Sequence, residues 1–309
     1  MPDSLKSVER RRVDLPGRGV EIAVLDWGGS GPPALLHHAN GFCGALWAPV
    51  AEKLSDRFRL LAVDARGHGD SSRPDPDRPG AYRWAEMAED LAAVGAALLG
   101  ELGAARFALG LGHSFGGTLS LAAASRHPGL FERVMMVDPV IIPPERASLP
   151  ERVAHASQMS ERARRRRDGW DSRAEAREYL ASRELFARWE PRALDLYVAE
   201  GLRDGEDGRV HLKCPGAVEG AIFAGDQGMD ILELAAEARV PVRILWARQG
   251  NFPRALYESM VETMSDAEVV EMDAGHLVVM EEPDIVVEQA LRFAGAPVPG
   301  SDAEEGAET

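Results

Sequence analysis

The sequence holds few cysteines and no long apolar run. Its two cysteines, Cys43 and Cys214, are too few for a disulfide framework and are typical of a reducing compartment. No segment approaches the ~20 apolar residues that span a membrane. The polar residues 1–16 contain no apolar core of a secretory signal. We therefore expect a cytoplasmic protein without a membrane segment.

Basic residues are outnumbered by acidic ones, with 35 Lys and Arg against 50 Asp and Glu, and no metal-ligand pattern is evident. The formal net charge is −15, and a strongly acidic surface repels phosphate backbones, so no nucleic-acid partner is expected. The exception is the run Arg164-Arg165-Arg166-Arg167, which is typical of a solvated helix face, with anion binding as the weaker alternative. The eight histidines show no metal-ligand spacing, and we expect neither a metal nor a cofactor.

Short apolar runs alternate with helical patterns along most of the chain. The amphipathic segment 84–98 is one such helix, and residues 117–126 are another. This alternation is typical of an α/β protein with a mostly parallel sheet flanked by helices. The predicted strands are residues 20–27, 34–38, 59–64, 106–111, 133–137, 242–246 and 268–272.

The pattern changes between residues 140 and 226. Segments 152–167, 172–182 and 191–201 have helical character, and residues 208–223 are irregular. Because no core strand is evident there, we predict a helical insertion, residues 140–226, after the sixth core strand. The core is then residues 1–139 and 227–295. The tail, residues 296–309, is rich in Gly, Ala and acidic residues and is expected to be disordered.

One serine carries the strongest chemical signal. The motif Gly112-His113-Ser114-Phe115-Gly116 lies directly between a predicted strand and a predicted helix. At such an elbow the serine adopts a strained conformation, and small residues two positions on either side prevent clashes. The helix N-terminus favours negative charge that develops beside the hydroxyl. We therefore predict that Ser114 is a nucleophile.

A serine nucleophile needs a base, and His276 is the candidate. It follows the last predicted strand in Asp273-Ala274-Gly275-His276, and a base that comes after the serine in the chain fits this kind of elbow. The other histidines fall in positions that suggest no chemistry. We expect structural roles or cap-surface positions for His113, His68, His127, His155 and His211.

These motifs resemble the α/β-hydrolase family, and the resemblance extends over residues 20–293. Residues 64–71 resemble the turn after the family's fourth strand, and residues 275–283 resemble its histidine loop. The resemblance implies an α/β-hydrolase fold in which the insertion is a cap. Residues 38–42 (His-Ala-Asn-Gly-Phe) stand where the family usually has His-Gly. By analogy, the backbone N–H groups of Asn40 and Phe115 form the oxyanion hole.

Asn40 and Trp47 also resemble an asparagine and a tryptophan of haloalkane dehalogenases. Those enzymes use an aspartate as nucleophile, and Ser114 cannot form the hydrolysable alkyl ester that dehalogenation needs. The same argument disfavours an epoxide hydrolase. The Asn40 side chain either hydrogen-bonds the substrate or orders its loop.

The acid that supports the histidine is absent from its usual place. The family generally puts it after the seventh strand, but residues 247–253 (Ala-Arg-Gln-Gly-Asn-Phe-Pro) contain no carboxylate. Asp138 follows the sixth strand, which resembles the acid site of some haloalkane dehalogenases, and we predict that it completes the triad. Asp226 and Asp230 are the alternatives, and Asp273 is too close to His276 in sequence.

The leading hypothesis is a hydrolase that cleaves a carboxylic ester or related acyl bond of a small apolar molecule through an acyl-enzyme. The same residues also serve lactone cleavage, carbon–carbon bond hydrolysis, acyl transfer and perhydrolysis. A different class is a ligand-binding protein that kept the fold and lost catalysis. A third is an interaction scaffold that uses the arginine run. Most cap aromatics are expected to pack the cap, namely Trp170, Phe186, Trp189, Tyr197 and Phe223.

Overall fold

The computed structural model describes residues 5–143, 149–225 and 229–295. Its strands are, in chain order, β1 (Glu9–Leu15), β2 (Val20–Asp26), β3 (Pro33–His37), β4 (Arg59–Val63), β5 (Leu109–His113), β6 (Val134–Val137), β7 (Gly169–Trp170), β8 (Leu202–Asp204), β9 (Val210–Leu212), β10 (Val242–Gln249) and β11 (Ala267–Gly275). Its α-helices are α1 (Ala48–Leu54), α2 (Trp84–Leu102), α3 (Phe115–Arg126), α4 (Pro150–Arg164), α5 (Arg173–Ala181), α6 (Pro191–Glu200), α7 (Gly216–Ala224), α8 (Ile231–Glu237), α9 (Arg254–Val261), α10 (Val278–Glu281) and α11 (Pro283–Phe293). Short 3-10 helices lie at Gly44–Trp47 and Glu184–Phe186.

The central sheet has eight strands in the order β1-β2-β4-β3-β5-β6-β10-β11. Strand β2 runs antiparallel to β1 and β4, and the remaining neighbours are parallel. Their carboxyl ends therefore meet at one edge, where ligands bind in open α/β sheets. The predicted α/β class with a mostly parallel sheet is confirmed.

Helices cover both faces of this sheet, which explains why its inner strands are almost wholly apolar. Leu35 and Leu36 of β3 are both buried but belong to opposite hydrophobic clusters. Helices α1 and α11 pack on the Leu36 side. Helices α2, α3, α8 and α9 pack on the Leu35 side. Helix α2 ends at Gly103, whose left-handed φ of 64° is one that glycine adopts at little cost.

Strand β1 was not predicted from the sequence. It pairs with β2 along its full length, for example Val13 with Ile22. Val13 and Leu15 are buried, whereas the arginines before them are exposed or half-buried. Three consecutive arginines hide the alternating pattern of this edge strand, because only two of its apolar side chains face the core.

The chain between β6 and β10 contains helices α4 to α8 and a small antiparallel sheet in the order β7-β9-β8. No strand in the described part of this segment joins the central sheet. The expectation that residues 208–223 are irregular was wrong, since they contain β9 and most of α7. Strands of two or three residues leave no periodic signal. Helix α8 packs on α3 of the core.

Two of the expectations fall on residues that the structure does not describe. The predicted disordered tail, residues 296–309, and Asp226, an alternative triad acid, both lie outside the described residues.

The two cysteines do not form a disulfide. Cys43 and Cys214 are both buried and unpaired. Within the described ranges, no helix has the length and apolar character needed to cross a bilayer.

Candidate active site

Ser114 occupies a strained turn between β5 and α3. Its backbone has φ 54° and ψ −120°, a conformation that non-glycine residues rarely adopt. The flanking glycines allow the close packing around it. A Cβ atom on Gly112 would lie 2.3 Å from the Gly116 carbonyl oxygen, and one on Gly116 would lie 2.4 Å from the carbonyl oxygen of His37. The predicted need for small residues at both positions thus has a steric cause.

The structure brings Ser114, His276 and Asp138 together at the carboxyl edge of the sheet. His276 follows β11, and its Nε2 atom lies 3.0 Å from Ser114 Oγ. Its Nδ1 atom lies 2.6 Å from Asp138 Oδ2. Because each ring nitrogen has one partner, the imidazole can accept a proton from the serine while the carboxylate holds the opposite N–H.

Asp138 is completely buried, and both oxygens of its carboxylate have hydrogen-bond partners. It follows β6 with a φ of 39°. Its Oδ1 atom accepts from the Ala247 backbone N–H at 3.1 Å. The same oxygen lies 3.2 Å from the Tyr257 hydroxyl, which also lies 3.0 Å from the Pro139 carbonyl oxygen and can donate its proton to either. Burial and the neighbouring Asp138 raise the pKa of Tyr257, so this hydroxyl remains a donor. The carboxyl-terminal part of β10 therefore supplies an N–H to Asp138, and the turn that follows this strand contains no acid.

The other carboxylates considered as alternatives serve different partners. Asp230 caps α8 by accepting from the N–H groups of Leu232 and Glu233 at 3.0 Å each. Asp273 pairs with Arg248 at 2.6 Å. Among the described residues, no carboxylate other than Asp138 contacts the ring of His276.

Residues 39–42, here called the oxyanion loop, lie beside the elbow. The Ala39 carbonyl accepts from His38 Nδ1 at 2.8 Å and from the Phe42 N–H at 3.2 Å. Within the described chain, neither the Asn40 N–H nor the Phe115 N–H has an intramolecular acceptor. Two free backbone donors suit a developing oxyanion. The Asn40 side chain donates to the Glu219 carbonyl at 3.3 Å, which supports a role in ordering the loop.

Neutral, buried histidines surround the site. Desolvation lowers the pKa of His38 to about 4 and that of His113 to about 3, and it holds the pKa of His68 well below its usual value. His113 Nε2 lies 2.7 Å from the His276 carbonyl oxygen. His68 Nε2 accepts from the Gly41 N–H at 3.0 Å. These histidines therefore hold backbone around the reacting residues, a role that the sequence did not specify.

The aromatic side chains of the segment between β6 and β10, which the sequence predicts to be a cap, mostly pack against one another and against the oxyanion loop. Trp189 and Tyr197 lie 5.2 and 5.5 Å from the ring of Phe42, between centroids. Phe186 completes this cluster at 4.8 Å from Trp189. Trp170 and Trp47, the latter in the 3-10 helix after the loop, are also buried. The expectation that most cap aromatics pack the cap agrees with these contacts.

The arginine run is not a single solvated helix face. Helix α4 ends at Arg164, and Arg166 turns inward to pair with Glu219. Its neighbours also have acidic partners within the chain, namely Asp77 for Arg164, Glu161 for Arg165 and Glu175 for Arg167. The solvated-face interpretation was therefore wrong for Arg166. Within the described residues, no group of three or more His, Cys, Asp or Glu side chains is arranged to hold a metal ion.

Most of the chain is similar to known hydrolases. The model of the alpha/beta hydrolase family matches residues 34–289. A 2-(acetamidomethylene)succinate hydrolase from Mesorhizobium japonicum is 36% identical over 153 residues, 49% of this chain, and the match spans about half of that relative, 51%. An N-formylmaleamate deformylase from Pseudomonas putida is 30% identical over 276 residues, 88% of this chain and 91% of that protein. The crystal structure of E-2-(acetamidomethylene)succinate hydrolase superposes with a TM-score of 0.76 at 25% identity, over 94% of this chain and 100% of that one.

Proposed function

Because the chain belongs to the alpha/beta hydrolase family, we propose that it is a serine hydrolase that cleaves a carboxylic ester or related acyl bond. The observation that carries this proposal is the continuous contact from Ser114 Oγ through His276 to Asp138, at 3.0 and 2.6 Å. The relatives with hydrolase and deformylase activities support the reaction type.

The proposed reaction passes through an acyl-enzyme. Ser114 Oγ attacks the acyl carbon while His276 Nε2 takes the hydroxyl proton, and Asp138 stabilises the imidazolium. The N–H groups of Asn40 and Phe115 bind the oxyanion. His276 then protonates the leaving group, which departs as the acyl-enzyme forms. Water, deprotonated by His276, attacks the acyl carbon, and the acid product leaves as Ser114 regains its proton.

Two classes of substrate have support. A small apolar ester is the first class, because the aromatic cluster around Phe42 places apolar side chains beside the oxyanion loop. The deformylase relative, similar over most of its length, favours a second candidate, an N-acyl bond. Both relatives are named for carboxylates, a succinate and a maleamate, so this second candidate carries a carboxylate. Lactone cleavage, carbon–carbon bond hydrolysis and acyl transfer use the same residues.

The two non-enzymatic hypotheses have less support. The hypothesis of a binding protein without catalysis depends on the absence of a carboxylate after β10. Asp138, which follows β6, contacts His276 instead. An interaction scaffold needs exposed positive charge on the arginine run. Arg166 turns inward to Glu219, and the other three arginines have acidic neighbours within the chain, so the run is not a uniform basic face.

A fluorophosphonate probe and a substrate panel test the proposal together. We expect the probe to label Ser114, as identified by mass spectrometry of the labelled peptide. The panel contains 4-nitrophenyl esters, N-acyl amides with and without a carboxylate, lactones and diketones, each with wild type and with Ser114→Ala. Hydrolysis by wild type alone supports the proposal. Failure of folded protein to be labelled, or equal turnover by Ser114→Ala, refutes it.

A further inference from the structure

Three cap elements meet above the oxyanion loop. Tyr197 comes from α6, Arg166 lies two residues after the end of α4, and Glu219 lies in α7. The Tyr197 hydroxyl lies 3.1 Å from the Gly41 carbonyl oxygen, and Arg166 Nη2 lies 3.1 Å from the same hydroxyl. Arg166 Nη1 donates to Glu219 Oε2. A chain of polar contacts therefore runs from the cap to the backbone of the loop.

The chemistry of these groups fixes the direction of each hydrogen bond. A guanidinium has donors but no acceptor, so Arg166 must donate to the Tyr197 oxygen. The tyrosine proton is then directed to the Gly41 carbonyl. Burial raises the pKa of Tyr197 to about 12, which keeps the hydroxyl protonated at any pH at which the enzyme would act. Glu219 holds the guanidinium by a charge-assisted bond.

The other backbone contacts of the loop come from the core, and the Asn40 side chain makes a further contact with the cap, at 3.3 Å from the Glu219 carbonyl oxygen. The Ala39 carbonyl is bound by His38, and the Gly41 N–H by His68. Among the described residues, the Gly41 carbonyl is the one backbone group of the loop whose partner belongs to the cap. Gly41 has a φ of 83°, and without a Cβ atom it can rotate through many conformations. The hydrogen bond from Tyr197 therefore restrains the residue of the loop whose backbone dihedral angles can vary most.

We propose that Tyr197, oriented by Arg166 and Glu219, is a positioning residue for the oxyanion hole. Its hydroxyl restrains the Gly41 carbonyl and so keeps the Asn40 N–H aimed at the reacting oxygen. This inference rests on the proposed function of Ser114 and Asn40. The cap would then contribute to transition-state stabilisation, because the hydrogen bond from Tyr197 to the Gly41 carbonyl orients the Asn40 N–H of the core.

The expected signature is a fall in kcat at constant KM. Acylation and deacylation both pass through an oxyanion, so a misaligned donor slows both steps by a similar factor. With 4-nitrophenyl acetate, Tyr197→Phe should lower kcat about tenfold, which corresponds to the loss of about one hydrogen bond. Phenylboronic acid, which forms a tetrahedral adduct on a serine, should bind more weakly by the same factor.

Tyr179→Phe is the matched control, because Tyr179 is a cap tyrosine that packs on Trp170, at 5.7 Å between ring centroids, and does not touch the loop. We expect this control to keep wild-type kcat and boronate affinity. Thermal unfolding of both variants separates positioning from loss of folding. A Tyr197→Phe variant with wild-type kcat, or with kcat no lower than that of Tyr179→Phe, overturns the inference. Equal hydrolysis by Ser114→Ala would instead overturn the proposed function.

A second variant tests whether Arg166 acts through Tyr197. Arg166→Gln should lower kcat in the wild-type background and have little further effect in the Tyr197→Phe background. Such non-additivity is expected when one residue acts through another. If Arg166 instead binds a substrate carboxylate directly, Arg166→Gln raises KM for a carboxylated substrate equally in both backgrounds. That result would overturn the positioning role of Arg166.

Discussion

A Cβ atom placed on Gly250 would lie 2.6 Å from Oδ2 of Asp138, the oxygen that contacts His276. Gly250 belongs to the turn after β10, where the family usually has its acid. In this chain the Asp138 carboxylate, which follows β6, occupies the space beside His276. Gly250 lies next to this carboxylate and leaves room for it because glycine has no side chain. The position of the acid and the glycine in the empty turn are thus two parts of one packing arrangement.

Gly250→Ala should therefore lower activity without altering any residue of the triad. The new methyl group would push the Asp138 carboxylate away from His276, and a displacement of that kind costs kcat on the order of 10²-fold. Gly100→Ala is the control, because nothing lies within 4 Å of a Cβ atom at that helical position. The control should keep full activity and gain about 0.5–1 kcal/mol of stability. Turnover of 4-nitrophenyl acetate and urea unfolding measure both effects.

Replacing Asp138 by asparagine should nearly abolish turnover. The amide would donate to His276 Nδ1, which leaves the imidazole with its proton on Nε2 and unable to accept one from Ser114. We expect kcat to fall by about 10⁴-fold, with an unchanged circular dichroism spectrum. Asp273→Asn is the control, since Asp273 pairs with Arg248 outside the site. Near-wild-type turnover by Asp138→Asn would mean that His276 works without this acid.

Local sequence patterns were sufficient to predict every strand of the central sheet except β1, and also the elbow, because each of these leaves a signal within a few residues. Ser114 stands between an apolar run and a helical pattern, and Asp138 was identified because residues 247–253 offer no carboxylate. Tyr257 was missed because a buried tyrosine on an amphipathic helix has the same pattern whether or not its hydroxyl binds an acid. Its contact with Asp138 joins residues 119 positions apart, so no spacing rule reveals it.

The contacts between cap and core were missed for a related reason. Arg166 was grouped with its neighbours as part of a solvated helix, because four arginines in succession imply repulsion and exposure. The helix ends before Arg166, and Arg166 then pairs with Glu219 on the inner side.

The role of His68 was also missed. His68 was expected to shape a turn. Its contact with the Gly41 N–H depends on the pairing of β3 with β4, which is a property of the sheet and not of either segment alone.

The buried histidines make stability depend on pH. Burial lowers the pKa of His37 and of His113 to about 3 and the pKa of His38 to about 4. Burial also lowers the pKa of His68 well below its usual value. The unfolded chain binds their protons below about pH 6.5, whereas the folded chain does not. Their contribution to stability is therefore complete above about pH 6.5 and is lost as the pH falls toward the folded pKa values.

Urea unfolding at pH 7.5, 6.0 and 5.0 should show this loss. Each histidine lowers the free energy of unfolding by about 1.4 kcal/mol per pH unit once the pH is well below 6.5. Burial raises the pKa of Asp64, which opposes the loss in part. The His113→Asn variant should bind one proton fewer than the wild type on unfolding. Its free energy of unfolding should therefore fall less steeply as the pH is lowered. A free energy independent of pH over this range would contradict neutral burial.

Two substitutions at Asn40 should separate its backbone from its side chain. Asn40→Ala removes the 3.3 Å contact with the Glu219 carbonyl but keeps the N–H group, so kcat for 4-nitrophenyl acetate should fall less than about fivefold. Asn40→Pro removes the N–H itself. Loss of one oxyanion donor typically costs 10²–10³ in kcat, and we expect a decrease of about that size. The free energy of unfolding of both variants shows whether the proline also disturbs the fold. If the alanine variant is as impaired as the proline variant, the side chain and not the backbone N–H is the group that matters at this position.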